Sequence, residues 1–277
     1  MNAACQRPWI GLLLFIIPFF IVLTIFSLLG YAFAGIEWDG ASETVRQKAI
    51  IYSFVAVGIV GLIFFFQKYY YQESILSLGF SLQKRGPDFS VGLLMGICAM
   101  AIGAALLLFT GQATAEIQSA NVQNLMYLFL LFLWVALYEE ILFRGFIQAK
   151  LMDSMHGTPA LLMAALVFAV FHLGNPNITL IAFLNLFLAG ILLGLPYLFT
   201  RNLWLPVSLH FSWNFFQSLF GFRVSGLDTY SFIELSLPED TIWNGGLFGF
   251  EGSLICTLMI LLLCALTFVY LKMRKEY

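Results

Sequence analysis

The sequence predicts an all-α fold: a polytopic membrane bundle of about eight transmembrane helices. Three observations predict it. The chain is 61% hydrophobic and only 10% charged, with a mean hydropathy of +0.92, whereas a soluble domain carries about 25% charged residues. Apolar runs close to the ~20 residues that span a bilayer recur from end to end. The Lys and Arg residues fall on alternate connections between those runs. So apolar a chain has too little polar surface to stay in water, so the bilayer must be its solvent. No stretch is long and polar enough to form a separate soluble domain, and residues 1–277 read as a single membrane domain. With a formal charge of -2 and no basic run, a nucleic-acid partner is not indicated.

Eight spans follow, at about 9–34, 49–66, 89–110, 124–148, 159–173, 178–199, 203–220 and 253–271. The first follows a short N-terminal segment with one cation, Arg7. It is too long for the apolar region of a signal peptide and is expected to be a retained helix. Thr158-Pro159 suits the start of the fifth span, with Thr as N-cap and Pro at the first helical position. Gly174-Asn175-Pro176-Asn177 breaks the chain between the fifth and sixth. Pro206 lies near the start of the seventh, where a missing N–H costs little. Residues 67–88, with Tyr69, Tyr70, Tyr71 and a Gly86-Pro87 turn, suggest an interfacial amphipathic segment. Residues 221–250 carry Asp228, Glu234, Glu239 and Asp240 and read as an external loop capping the bundle. Residues 253–277 hold the last helix and a cytoplasmic tail. Cys5, Cys98, Cys256 and Cys264 show no C-x-x-C spacing and read as small buried hydrophobes rather than a disulfide framework.

With eight spans, one side of the membrane carries Arg7, Lys68, Lys84, Arg85, Lys150, Arg201, Lys272, Arg274 and Lys275. The other carries Arg46, Lys48 and Arg223. This bias predicts a cell-membrane protein with both termini in the cytoplasm.

Ionisable side chains at membrane depth are costly and mark functional sites by default. Three spans carry them: Tyr138-Glu139-Glu140 with Arg144, Phe168 with His172, and His210 with Asn214. Glu140 and Arg144 stand four apart on one helix face and can pair, whereas Glu139 is rotated by about 100°. Neighbouring carboxylates resist joint ionisation. Arg144 is placed to hold Glu140 ionised, leaving Glu139 beside a His to take a proton from water. His210 and Asn214, also four apart, can aim N–H donors at one point, as an oxyanion requires. Each group has a structural reading too. Glu140–Arg144 can tie helices, His172 can bond a backbone carbonyl, and His210 and Asn214 can be interhelical polar contacts. Phe168 reads as packing, Trp204 and Trp213 as interface or core, and His156 as solvated. What favours chemistry is the coincidence of five such groups on three spans. One tension remains. Glu139 and His210 fall roughly 10 Å from the cytoplasmic ends of their spans and His172 roughly 20 Å along its own, so the fifth span must start deeper or tilt.

The ordered set Glu-Glu-x-x-x-Arg, Phe-x-x-x-His and His-x-x-x-Asn, over residues 139–214 and inside a helical core of about 89–220, resembles the CPBP family. That family takes in the type II CAAX prenyl proteases and the bacterial Abi proteins, some of them bacteriocin-processing or immunity proteins. The resemblance implies an intramembrane endopeptidase that hydrolyses a peptide bond near the cytoplasmic membrane face, acting on a peptide or membrane-protein substrate. It casts Glu139 and His172 as activators of water, His210 and Asn214 as oxyanion donors, Glu140 and Arg144 as orienting groups, and Phe168 as support. A metal-free reaction is favoured, and no cofactor is expected. Zinc held by Glu140, His172 and His210 is the alternative, although no H-E-x-x-H motif is present. Two other functions compete: a non-catalytic immunity or scaffold protein of the same family, and a proton-coupled transporter, which the lack of an evident internal repeat weakens.

Overall fold

The structure, a computed structural model, describes residues 8–36 and 42–274; Cys5, Arg7 and Lys275 lie outside the described residues. It is a polytopic helical bundle. Among the described residues the long elements are α1 (Pro8–Ala34), α2 (Val45–Tyr70), α3 (Gly86–Phe109), α4 (Val122–Met152), α5 (Gly157–Phe171), α6 (Leu180–Thr200), α7 (Trp204–Leu219) and α8 (Leu254–Arg274). Six of these are long and apolar enough to cross a membrane, and α5 and α7 are shorter, at 15 and 16 residues. At 1.5 Å per residue those two reach only about 22–24 Å, less than the ~30 Å hydrocarbon core. α2 is entered through a capping box, with Thr44 and Gln47 satisfying each other's backbone N–H groups. α5 starts one residue before the expected Thr158 cap: His156 stands at the N-cap, exposed and without a side-chain capping bond.

The helices alternate in direction, and contacts among their connections sort the molecule into two faces. On the terminal face, where α1 begins and α8 ends, Tyr71 Oη donates to the Pro8 carbonyl at 2.8 Å and Asn202 Nδ2 to the Ser81 carbonyl at 2.8 Å. Lys150, 1% exposed, meets Glu73 at 2.6 Å. Arg274 pairs with Asp88. On the opposite, cap face, Lys48 donates to the Asp228 carbonyl, Asn175 to that of Ser225, and Leu254 to that of Ile242. Residues 221–250 form the cap on this face. It also adds a small sheet that helical periodicity did not foreshadow: β1 (Thr114–Ile117) pairs antiparallel with β2 (Ile233–Ser236), Thr114 opposite Ser236. Residues 67–88 differ from the expected interfacial segment. Gln67, Tyr71 and Leu78 are buried, and the segment folds under the bundle, where the Leu203 N–H donates to the Gly79 carbonyl.

α7 is the most enclosed helix, and its polar residues dictate how it packs. Ser208 and Ser212 lie against Gly92 and Gly96 of α3, where a Cβ on either glycine would collide with the serine hydroxyls. Small residues four apart let two backbones approach closely, which is how membrane helices associate when hydrophobicity gives them no reason to. Gly190 of α6 does the same against Ala165 of α5, 2.8 Å from where its Cβ would sit. Of the cysteines, Cys256 is buried and Cys264 half-buried, as expected, whereas Cys98 is exposed on α3; all three are free.

This seam yields a prediction. Gly96→Ala is expected to lower the unfolding temperature in detergent, because overpacking costs about 1–3 kcal/mol. Gly61→Ala, where nothing lies within 4 Å of the new methyl, is expected to leave it unchanged or raised, since Ala is the better helix former by about 1 kcal/mol.

Candidate active site

α4 presents the acidic pair. It is α-helical from Val122 to Glu140, widens into a π-helix over Ile141–Gln148, and closes with one α turn, Ala149–Met152. The π stretch begins at the residue after Glu140. Such i→i+5 segments are rare and gather at functional sites; nothing in the hydrophobic pattern announced this one. Because α4 runs on to Met152 rather than stopping near 148, Glu139 lies roughly 20 Å from its terminal end. That is the depth His172 reaches at the end of α5, which removes the tension read from the sequence. α7, for its part, begins inside the protein: Asn202, Leu203 and Leu205 are buried beneath the 67–88 segment, and this brings His210 up to the acidic pair.

Glu140 is the hub. It is 0% exposed. Its Oε1 accepts from Arg144 at 2.8 Å and from His210 Nδ1 at 2.7 Å. A carboxylate beside a guanidinium can only accept here, so His210 carries its proton on Nδ1. The Arg144 guanidinium also donates to the Gly190 carbonyl at 3.3 Å and lies over the Phe168 ring, 4.6 Å from its centre. One turn on, Gln148 donates to the Gly194 carbonyl at 2.9 Å. Two side chains four apart on α4 thus bond two carbonyls four apart on α6. Phe168 is packing, as read from the sequence, and what it packs against is the site: Arg144, His172 at 4.5 Å between ring centres, and the edge of His210.

Glu139 points the other way. Its Oε1 accepts from the Tyr138 hydroxyl at 3.1 Å. Its Oε2 is buried, has no hydrogen-bond partner among the described residues, and stands 3.9 Å from His210 Nε2. The His172 Nδ1 lies 2.8 Å from the Phe168 carbonyl. A carbonyl only accepts, so Nδ1 carries the proton and Nε2 keeps its lone pair as an acceptor. The carbonyl bond weighed as the structural reading of His172 is therefore present, and it also fixes the tautomer.

Glu139, Phe168, His172, His210 and Asn214 line one cavity of about 540 Å³. Glu140 and Arg144 stand behind that lining. The cavity extends from mid-bundle to the cap face, where Tyr31, Glu43, Lys48, Ser225 and Leu227 border it; no residue of the terminal-face connections does. A second, wholly apolar cavity of about 420 Å³ lies against α1, α4 and α5 and shares Phe19, Leu142 and Phe171 with the first, so those three side chains form the wall between them.

Several contributors went unassigned from the sequence. Tyr138 adjoins the Glu pair, and that adjacency was the signal available. Glu251 lies outside the motif-bearing core, yet it borders the cavity and accepts from the Ser225 N–H at 2.6 Å and hydroxyl at 2.9 Å. As for zinc, no three His, Cys, Asp or Glu side chains among the described residues form a set that could hold a metal ion. Glu140 and His210 meet through a hydrogen bond between Oε1 and Nδ1. Glu140, His172 and His210 are not brought together as a ligand set among the described residues.

Residues 121–216 match the family described as Type II CAAX prenyl endopeptidase Rce1-like. The match covers the segment carrying all three motifs and bears out the resemblance to the CPBP family; that family is one of CAAX-type membrane proteases. No curated protein and no solved structure matches the chain.

Breaking the buried pair generates a stability prediction. Arg144→Met leaves Glu140 with His210 as its one hydrogen-bond partner, and losing one partner of a buried charged pair costs about 3–5 kcal/mol. A marked drop in thermal stability is expected, with substantial recovery in the double variant Glu140→Leu/Arg144→Met, which removes both charges. Unfolding curves of the three proteins in one detergent check it.

Proposed function

We propose that the chain is an intramembrane endopeptidase of the glutamate type, acting on a peptide or membrane-protein substrate. The observation that carries this reading is the pairing of two adjacent carboxylates with opposite surroundings. Glu140 stands behind the cavity lining with Oε1 held by both Arg144 and His210, while Glu139 lines the cavity with an unpartnered oxygen, beside two imidazoles and an amide.

In this reading Glu139 Oε2 takes a proton from a water whose oxygen attacks the scissile carbonyl carbon. His172 Nε2 accepts a hydrogen bond from the same water and aims it. The carbonyl oxygen gains negative charge and is met by N–H donors from Asn214 Nδ2 and His210 Nε2. With Nδ1–H already given to Glu140, a donating Nε2 makes His210 an imidazolium, so that Arg144 and His210 stand against the two carboxylates Glu140 and Glu139. The protonated Glu139 then delivers its proton to the leaving amine as the C–N bond breaks. Arg144 touches no reacting atom; it holds Glu140, and through Glu140 the ring of His210.

Purified protein and a peptide library test this. Wild type is expected to cleave, Glu139→Gln to lose about 10²–10⁴-fold in rate as general bases do, and Asn214→Ala about 10²–10³-fold in kcat as oxyanion donors do. Both variants should keep the wild-type unfolding temperature. Activity is expected to persist after exhaustive chelation. Equal cleavage by wild type and Glu139→Gln removes the base assignment. Loss on chelation with recovery on adding zinc overturns the metal-free mechanism. A well-folded wild type that cleaves nothing favours the immunity or scaffold alternative.

A further inference from the structure

The two faces of the bundle are not equivalent with respect to the site. Towards the terminal face, Leu78, Phe146, Tyr197 and Leu203 are packed at 0–1% exposure, the Lys150–Glu73 pair ties the connections there, and none of these residues borders the cavity. Above it, the cavity that holds Glu139, His172, His210 and Asn214 continues between α1, α2 and α4 to the cap face, bordered there by the half-buried Tyr31, Glu43 and Lys48 and the exposed Leu227. Water and an extended peptide therefore have a route to the carboxylates from the cap side.

The charges on the two faces then say which compartment that is. Among the described residues the terminal face carries Lys68, Lys84, Arg85, Lys150, Arg201, Lys272 and Arg274, and the cap face Arg46, Lys48 and Arg223. Cytoplasmic connections of membrane proteins carry the excess of Lys and Arg, counted near the span ends as here.

We infer that the site opens away from the cytoplasm and that its substrate is a polypeptide segment on the non-cytoplasmic side of the membrane. A cytosolic protein tail would meet the closed face. The inference takes the word substrate from the endopeptidase reading; the direction of opening stands on geometry and charge alone.

Thiol labelling of intact cells tests it without any need for activity. Leu227→Cys reports the cavity mouth and Leu82→Cys, 73% exposed, the closed face. Labelling is read as the increase over the unsubstituted protein, which carries its own cysteines. With a membrane-impermeant maleimide, Leu227→Cys is expected to label in intact cells and Leu82→Cys only after permeabilisation. The opposite pattern overturns the inference. A second measurement gives the wild-type protein in sealed vesicles of known orientation a peptide that the detergent-solubilised enzyme cleaves. Cleavage is expected only when the cap face is outside, and cleavage only with the terminal face outside would overturn the inference. If labelling comes out as expected while no peptide is cut even in detergent, it is the endopeptidase reading that fails.

Discussion

Everything in this fold answers to one demand: a carboxylate with no exposure, in the middle of a bilayer, has to be neutralised by partners that are themselves held. Isolated charge transferred to a low-dielectric interior costs several kcal/mol per ion even after relaxation. Glu140 avoids that only because a guanidinium and an imidazole converge on a single oxygen. Each partner in turn imposes a structure. Arg144 has donors to spare, and α6 brings the Gly190 carbonyl close enough to take one because Gly190 lets α6 lie against Ala165 of α5. Phe168 supplies a ring face for the remaining cationic surface. His210 reaches the pair only from a helix that starts inside the protein, and that start is possible because the 67–88 segment covers it and α3 offers glycines to its serines.

The acidic pair divides its labour through a rotation of one residue along the helix. Two carboxylates facing the same partners would compete; here the first faces a cavity and the second faces protein. Tyr138, the third consecutive polar residue, supports Glu139 through Oε1 and leaves Oε2 open.

Much of this was legible in the sequence because membranes simplify inference. Apolar runs located the eight long helices of the described residues, six of them long and apolar enough to span, and the two short ones, α5 and α7, are those whose runs carried His, Asn and Pro or were truncated by them. Ionisable and polar residues where none should be drew attention to Glu139, His172, His210 and Asn214, and these four line one cavity. What escaped has physical reasons. A helix that changes from i→i+4 to i→i+5 bonding keeps the same residues in nearly the same order of exposure, so periodicity cannot see it. The depth of α7 depends on Leu78, Gly79 and Ser81 beneath it, a long-range packing that local pattern does not encode. Strands of four residues in a cap, and Glu251 reaching back from it, depend on the loops meeting. The direction in which the cavity opens is a property of the assembled helices alone.

The π stretch of α4 has a consequence for how this region tolerates change. A wide turn holds about one residue more than an α turn, so deleting a single residue between Ile141 and Gln148 would let the helix tighten into ordinary α geometry while the turns on either side keep nearly their phase. A deletion before Glu139, in regular α-helix, meets no such slack and turns one side of the lesion against the other by about 100°. That would swing Arg144 and Gln148 off the Gly190 and Gly194 carbonyls together, if the acidic side kept its place. The π stretch is thus where α4 tolerates a change of length, and the α turns leading into the acidic pair are where a lineage has to preserve it.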